Sequence, residues 1–141
     1  MEQELEAARQ LQLSMLPQGK PELLDMDIAW EMSTATQVGG DYYDYTLSAD
    51  STLTLTLGDA TGHGMQAGML VTASKSLFQT LSENLNIVET FTTMSRSLNT
   101  MNLKRIGMAM NMIKIKDHTM QVSSAGIPPI LLYRAATQVI E

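Results

Sequence analysis

The order of the local sequence patterns predicts an α+β fold with a largely antiparallel sheet. An amphipathic helix comes first, strands follow, then two helices, then strands again, whereas alternating βαβ units would place a helix after each strand. The chain has 141 residues, of which 44% are hydrophobic and 17% charged, a balance typical of one globular domain. Because no apolar run approaches the ~20 residues of a membrane span, we expect no membrane contact by this segment.

The first element is a helix over residues 2–16. Its apolar residues recur at spacings of three and four, polar residues fill the opposite side, and Pro17 ends it. We therefore divide the chain into a lead-in or linker helix over residues 1–17 and a domain over residues 18–141. The helix either lies on its own domain or is the end of a longer signalling or dimerising helix. Its apolar stripe consists of Leu5, Ala8, Leu11 and Met15.

Strands follow in the first half of the chain. The clearest is the segment from Leu53 to Leu57, in which leucine and threonine alternate. It leads directly into the glycine-rich segment 58–64. Three weaker patterns precede it: a strand at Ile28, Trp30 and Met32, a loop from Thr36 to Gly40, and a short strand from Tyr42 to Thr46.

Two helices occupy the middle of the chain. From Met65 to Leu81 apolar residues fall every four positions, which indicates a helix. Asn86, with Glu89 three positions later, resembles a capping box at the start of the second helix. The apolar face of that second helix consists of Val88, Phe91, Met94, Leu98 and Met101.

The last third returns to strands. Alternating apolar residues run from Met108 to Ile115, and Asp117 with His118 predicts a hairpin turn before a return strand at Met120 and Val122. Two further short strands are predicted after the Pro-Pro pair, at Ile130–Tyr133 and at Val139–Ile140.

Composition excludes several classes of function. Nine Lys and Arg residues face 15 Asp and Glu residues, and the net charge of -6 argues against a nucleic-acid partner. With no cysteine, the chain has no disulfide, no thiolate zinc site and no thiol nucleophile, and the reducing cytosol is the expected compartment. With only two histidines, a metal site has to rely mainly on carboxylates, which bind hard ions such as Mg²⁺ or Mn²⁺.

Two loops concentrate glycine and aspartate, namely VGGDYYD at residues 38–44 and GDATGHG at residues 58–64. Aspartates from adjacent strand ends can meet at one point, and glycines allow close backbone approach. Two hard cations at such a point can bridge a water, lower its pKa and clamp a phosphoryl group. Taken alone, Gly-Asp pairs are also common turn formers, and His63 between glycines is either a loop residue or a general acid. The second loop lacks the Lys-Ser/Thr ending of a Walker motif.

In order along the chain, these segments resemble the stage II sporulation protein E-like serine phosphatases, the bacterial branch of the metal-dependent protein phosphatase 2C superfamily. AARQLQLSMLP resembles the lead-in helix of that family, VGGDYYD and GDATGHG resemble its acidic loops, and SSAGIPPILLYR resembles its Asn-Ala-Gly-His-Pro-Pro segment. The resemblance covers residues 7–134. It implies a β-sandwich of mostly antiparallel sheets flanked by helices.

The resemblance also implies an activity and a site. The activity would be hydrolysis of phosphoserine or phosphothreonine on a protein such as an anti-anti-sigma factor, by a water bridging two Mn²⁺ or Mg²⁺ ions. Asp41 matches the first acidic metal ligand, Asp59 the bridging aspartate, and Ala60 the residue whose backbone carbonyl binds metal. Four residues would surround these ligands: Gly40, Asp44, Gly62 and His63. For Asp44 a surface role is an equal alternative. The lead-in helix would receive the input of a sensor, which would make the chain the cytoplasmic part of a larger protein.

The chain departs from the family pattern in two places. Ser124 and Ile127 stand where the family has Asn and His. The pattern also continues past Glu141, with a Thr-Asp-Gly strand end and a later Asp that bind metal in the family, and Asp117 is better explained as a turn residue. We therefore expect an incomplete phosphatase domain, the N-terminal two thirds or so, with an exposed sheet edge open to pairing.

Two other functions remain open from the sequence. The chain could be a non-catalytic, phosphatase-like interaction module that binds phosphoprotein, or that dimerises through the N-terminal helix or the exposed sheet edge. It could also be a metal hydrolase acting on a small phosphorylated metabolite.

Overall fold

The computed structural model describes residues 2–33, 38–84, 86–103 and 105–141. Thr36, where the predicted loop begins, lies outside the described residues. No helix among the described residues is long and apolar enough to cross a membrane. The elements are α1 (Glu2–Met15), β1 (Asp41–Leu47), β2 (Leu53–Ala60), α2 (Met65–Leu81), α3 (Ile87–Thr100), β3 (Met108–Lys116), β4 (Thr119–Ala125), β5 (Tyr133–Arg134) and β6 (Val139–Ile140).

The main sheet has four strands in the order β1-β2-β3-β4, and every neighbouring pair is antiparallel. Strands β3 and β4 form a hairpin in which Lys116 pairs with Thr119. The two residues between them, Asp117 and His118, have φ values of 48° and 59°, which is the geometry of a type I′ turn. The α+β class, the antiparallel sheet with helices and the turn role of Asp117 are therefore confirmed.

One face of the sheet forms the core with the helices. Tyr42, Met110 and Met112 are buried there against Phe78 of α2 and Met94 of α3. The opposite face exposes apolar side chains, and Leu57, Met120 and Val122 are the examples on β2 and β4. Because side chains alternate along a strand, neighbouring residues of each strand belong to opposite faces.

The strand predicted at Ile28, Trp30 and Met32 is wrong. This stretch has no strand pairing, and the Trp30 ring instead packs on Tyr43 and Tyr45 of β1, with ring centroids 5.5 and 5.3 Å apart. In this stretch Trp30 packs against one face of the sheet, and the backbone forms no hydrogen-bonded ladder with a strand that the structure describes.

The strand predicted from Ile130 to Tyr133 is shorter in the structure and begins at Tyr133. The Pro-Pro pair before it has no N–H groups to donate to a ladder. Leu132 and Glu141 nevertheless exchange backbone hydrogen bonds of 2.8 and 2.9 Å, which extend the small β5–β6 pair by one step.

Asn86 is the N-cap of α3, as its place in the sequence predicted. The Asn86 side chain accepts hydrogen bonds from the backbone N–H groups of Val88 and Glu89, at 3.1 and 3.0 Å. The backbone N–H of Asn86 donates to the Asn84 side chain at 2.9 Å, so a second asparagine takes the part that Glu89 would play in a capping box.

Candidate metal centre

Asp41 and Asp59 lie directly opposite each other on neighbouring strands. Asp41 is the first residue of β1, Asp59 the penultimate residue of β2, and the two are paired in the antiparallel register. The Ala60 N–H donates to the Gly40 carbonyl at 2.8 Å. The aspartates therefore form a non-hydrogen-bonded pair, in which Cα atoms are about 4.5 Å apart and side chains are closest. Both are exposed and share one sheet face, opposite the helices.

Gly40 allows a close backbone approach beside this pair. A Cβ at Gly40 would lie 2.5 Å from the Ala60 carbonyl oxygen and 3.2 Å from Asp59 Oδ1. A side chain would therefore collide with the backbone and crowd the carboxylate. The Asp59 carboxylate and the Ala60 carbonyl oxygen both border the side-chain position of Gly40, and such oxygens are the ligands that Mg²⁺ and Mn²⁺ prefer. The residues present thus fit a hard divalent cation, as the resemblance implied.

Asp41 and Asp59 also repel each other without a cation. Like charges placed directly across an antiparallel pair are destabilising. In the part of the chain that the structure describes, no group of three or more acidic or histidine side chains is close enough to hold a metal. Because a hard cation takes about six oxygen ligands, water or further protein oxygens would have to complete the shell around this pair.

The loop after β2 requires its glycines. Gly62 and Gly64 have φ values of 86° and 77°, a region that residues with a side chain rarely adopt. Thr61 fixes the loop to the segment before β3 through a hydrogen bond from its N–H to the Gly107 carbonyl, 2.8 Å long. His63 is exposed between the two glycines. Gly62 and His63 thus form the turn from Asp59 into α2.

The structure does not bring Asp44 to the pair. It lies three residues after Asp41, hence on the opposite face of β1, and it is only 4% exposed. Its carboxylate accepts hydrogen bonds from the Tyr42 hydroxyl at 2.9 Å, from Lys75 Nζ at 2.7 Å and from Gln79 Nε2 at 2.9 Å. The surface role considered for Asp44 is therefore wrong, and its carboxylate instead fastens β1 to α2.

This buried network changes the acidity of Tyr42. Burial, together with the nearby Asp44 carboxylate, raises the pKa of the Tyr42 hydroxyl well above its ordinary value. The hydroxyl therefore stays protonated and keeps donating to Asp44. Sequence reasoning missed Lys75 and Gln79, although their spacing of four residues places them on one helix face and was a usable signal.

A buried cation lies under the end of α2. Lys114 of β3 is 5% exposed, and its Nζ donates to the Ser82 carbonyl and, at 3.0 Å, to Thr54 Oγ1. Burial lowers the pKa of Lys114, with the more distant Asp50 acting in the opposite direction. The ammonium satisfies a carbonyl at the C-terminal end of α2, where positive charge is favourable.

The chain is similar to known proteins in sequence and in fold. A sequence model described as Stage II sporulation protein E (SpoIIE) matches residues 49–141. Protein IcfG of Synechocystis sp. is 35% identical over 79 residues, which cover 56% of this chain and 12% of IcfG. The crystal structure of the RsbU and RsbW domains of Rv1364c from Mycobacterium tuberculosis is similar with a TM-score of 0.58 and 27% identity, over 70% of this chain and 29% of that one. The chain therefore spans about an eighth of the length of IcfG and less than a third of the solved structure.

Proposed function

The chain belongs to the stage II sporulation protein E (SpoIIE) family of the metal-dependent protein phosphatase 2C superfamily, and on this basis we propose that it hydrolyses phosphoserine or phosphothreonine on a protein. The observation that carries the proposal is the cross-strand pair of Asp41 and Asp59, next to the close approach of Gly40 to the Ala60 carbonyl and the Asp59 carboxylate. This is an arrangement of oxygen ligands on an exposed sheet face.

Asp41, Asp59 and the Ala60 carbonyl would hold Mn²⁺ or Mg²⁺, and two ions are expected in a complete site. A cation bound there supplies Lewis-acid polarisation of a phosphoryl group and lowers the pKa of water. The chain's own residues have simpler tasks. The two carboxylates provide the negative charge that selects a cation, the β1–β2 ladder sets their separation, and Gly40 keeps a side chain away from the Asp59 carboxylate and the Ala60 carbonyl.

The charge of the chain supports a cation-assisted reaction. At a net charge of -6, and with two carboxylates at the site, the protein repels a phosphate monoester on its own. A bound divalent cation reverses the local field and attracts the phosphoryl oxygens.

The exposure of the pair favours a protein substrate over a small metabolite. Sites for small molecules are concave and enclose most of the ligand. Asp41 and Asp59 are instead exposed at the end of two strands. A phosphorylated side chain on the surface of another protein can reach such a position.

The test is Mn²⁺-dependent dephosphorylation of a phosphoserine protein by the natural full-length protein. Asp59→Asn should abolish release of phosphate, and a chelator should do the same to the unaltered protein. Asp117→Asn is the matched control, because it makes the same chemical change at an exposed turn where asparagine tolerates the positive φ. Full activity of Asp59→Asn, or activity in chelator, would contradict the proposal.

A second candidate function is a non-catalytic interaction or dimerisation module. The exposed apolar residues of α1 and α2 favour it, and Leu11 and Met69 are 65% and 56% exposed. This candidate predicts concentration-dependent dimerisation in light scattering that Leu11→Gln reduces. It also predicts binding of phosphoprotein without release of phosphate, which separates it from the first proposal.

A further inference from the structure

The segment Val38–Gly40 is held by three neighbouring elements just before Asp41. The Gly64 N–H, at the start of α2, donates to the Val38 carbonyl at 3.1 Å. The Ala60 N–H, at the end of β2, donates to the Gly40 carbonyl at 2.8 Å. The third neighbour is α1, which contacts the residue between these two.

That contact is made by Gln12, the buried residue of α1, which is only 6% exposed. Its Nε2 donates to the Gly39 carbonyl at 2.7 Å, and its Oε1 accepts from the Gly39 N–H at 3.0 Å. A primary amide has one donor side and one acceptor side, so it matches both backbone groups of a single residue. We call this pair of hydrogen bonds the Gln12–Gly39 clasp.

Close packing leaves this segment little room to move. A Cβ at Gly68 of α2 would lie 2.8 Å from Val38 Cγ1, so α2 approaches the segment with no side chain in between. The Gly40 carbonyl is hydrogen-bonded to the residue after Asp59, and Gly40 itself borders the Asp59 carboxylate. The position of the segment therefore sets how Asp41 and Asp59 face each other.

We propose that Gln12 is a positioning residue that holds Gly39 and Gly40 so that Asp41 and Asp59 are arranged for one divalent cation. The inference rests on the proposed function, since it takes these aspartates as cation ligands. Docking of α1 and binding of the cation are then coupled, and coupling between two sites is reciprocal. A cation fastens α1 to the domain, and release of α1 weakens the binding of the cation.

Gln12→Met tests the clasp while retaining the helix. Methionine has a similar length and stays compatible with the apolar side chains of Leu11, Met15 and Met69 around this position, so α1 can still dock. Gln10→Met is the matched control, because Gln10 is exposed on the same helix and bonds only to the nearby Glu6.

Two quantities are measured on each variant. The first is amide hydrogen exchange at Ala60 in chelator, which reports on the Gly40–Ala60 hydrogen bond without any metal and without direct contact to Gln12. The second is the Kd for Mn²⁺ by calorimetry. For Gln12→Met we expect exchange at Ala60 and the Kd each to rise about fivefold or more, the lower end of typical coupling between sites. For Gln10→Met we expect both to stay at the values of the unaltered chain.

The outcomes separate the two proposals. Equal exchange at Ala60 in the two variants overturns the role of Gln12. Faster exchange at Leu55, in the middle of β2, by the same factor as at Ala60 also overturns it, because the variant would then loosen the whole sheet. If the unaltered chain binds no Mn²⁺, the cation site and the cation-directed role of Gln12 both fail, whereas exchange at Ala60 still shows whether the clasp orders the segment. Binding by the unaltered chain with an unchanged Kd in Gln12→Met overturns the inference alone.

Discussion

Replacing Asp59 with asparagine should reverse the order of stability of two proteins when a divalent cation is added. Without a cation, Asp41 and Asp59 face each other as like charges in a non-hydrogen-bonded pair. At a charge separation of about 5 Å in water, Coulomb's law gives a repulsion of about 0.8 kcal/mol. Salt at 0.15 M, with a Debye length of about 8 Å, reduces this to about 0.4 kcal/mol. Asp59→Asn removes the repulsion and retains the shape of the side chain.

A cation acts in the opposite direction. At a free Mn²⁺ concentration of about 100 times the Kd, binding stabilises the unaltered chain by about 2.7 kcal/mol. For a chain of this length 1 kcal/mol corresponds to about 4 °C in Tm. We therefore expect Asp59→Asn to melt about 1–3 °C above the unaltered chain in chelator, and about 8–10 °C below it in saturating Mn²⁺.

Thermal unfolding followed by circular dichroism measures both differences. Asp117→Asn is the control and should respond to Mn²⁺ as the unaltered chain does, since its side chain lies at the exposed β3–β4 turn. A lower Tm for Asp59→Asn in chelator would refute the repulsion. An equal rise in Tm for both proteins on adding Mn²⁺ would refute the assignment of Asp59 as a ligand.

Three further predictions concern Gly40, Lys75 and Lys114. Gly40→Ala should remove most of the Mn²⁺-induced rise in Tm, because its Cβ would lie 2.5 Å from the Ala60 carbonyl oxygen. Lys75→Met should lower the free energy of unfolding in urea by about 2–4 kcal/mol, because it leaves the Asp44 carboxylate buried without its cation. For Lys114, burial lowers the pKa below the ordinary 10.5, so the folded state releases its proton before the unfolded state does. Stability should therefore gain a contribution as the pH rises towards 10.5, and a Lys114→Met variant should lack it in urea titrations at several pH values.

Each of these has a control and a contradicting result. Gly19→Ala has open space around the added Cβ and should keep the full response to Mn²⁺, whereas an unchanged response in Gly40→Ala would contradict the role of Gly40. Lys20→Met removes an exposed ion pair with Asp27 and should cost less than about 1 kcal/mol. A cost as small as that for Lys75→Met would show that the Asp44 pair adds nothing. Parallel pH profiles for the unaltered chain and Lys114→Met would contradict the assignment of Lys114.

Much of the fold could be predicted because its elements have clear local periods. The Leu-Thr alternation identified β2, the four-residue spacing identified α2 from Met65 to Leu81, and two adjacent turn formers identified the β3–β4 hairpin. The predicted strand at Ile28, Trp30 and Met32 is wrong because it rested on such a local period alone. Period-two alternation shows that alternate side chains find apolar contacts, but it does not show whether the backbone finds a ladder partner.

For the candidate site, the sequence by itself determined which residue types were present and in which order. Two Gly-Asp motifs at strand ends, in a chain without cysteine and with only two histidines, favoured oxygen ligands, and their order along the chain indicated the family. Only the tertiary structure decided the rest. It placed Asp41 opposite Asp59, turned Asp44 to the other face against Lys75, and brought Gln12 to Gly39, which is 27 positions away. These contacts depend on strand register and helix docking, which the packing of the whole chain sets and no local period encodes.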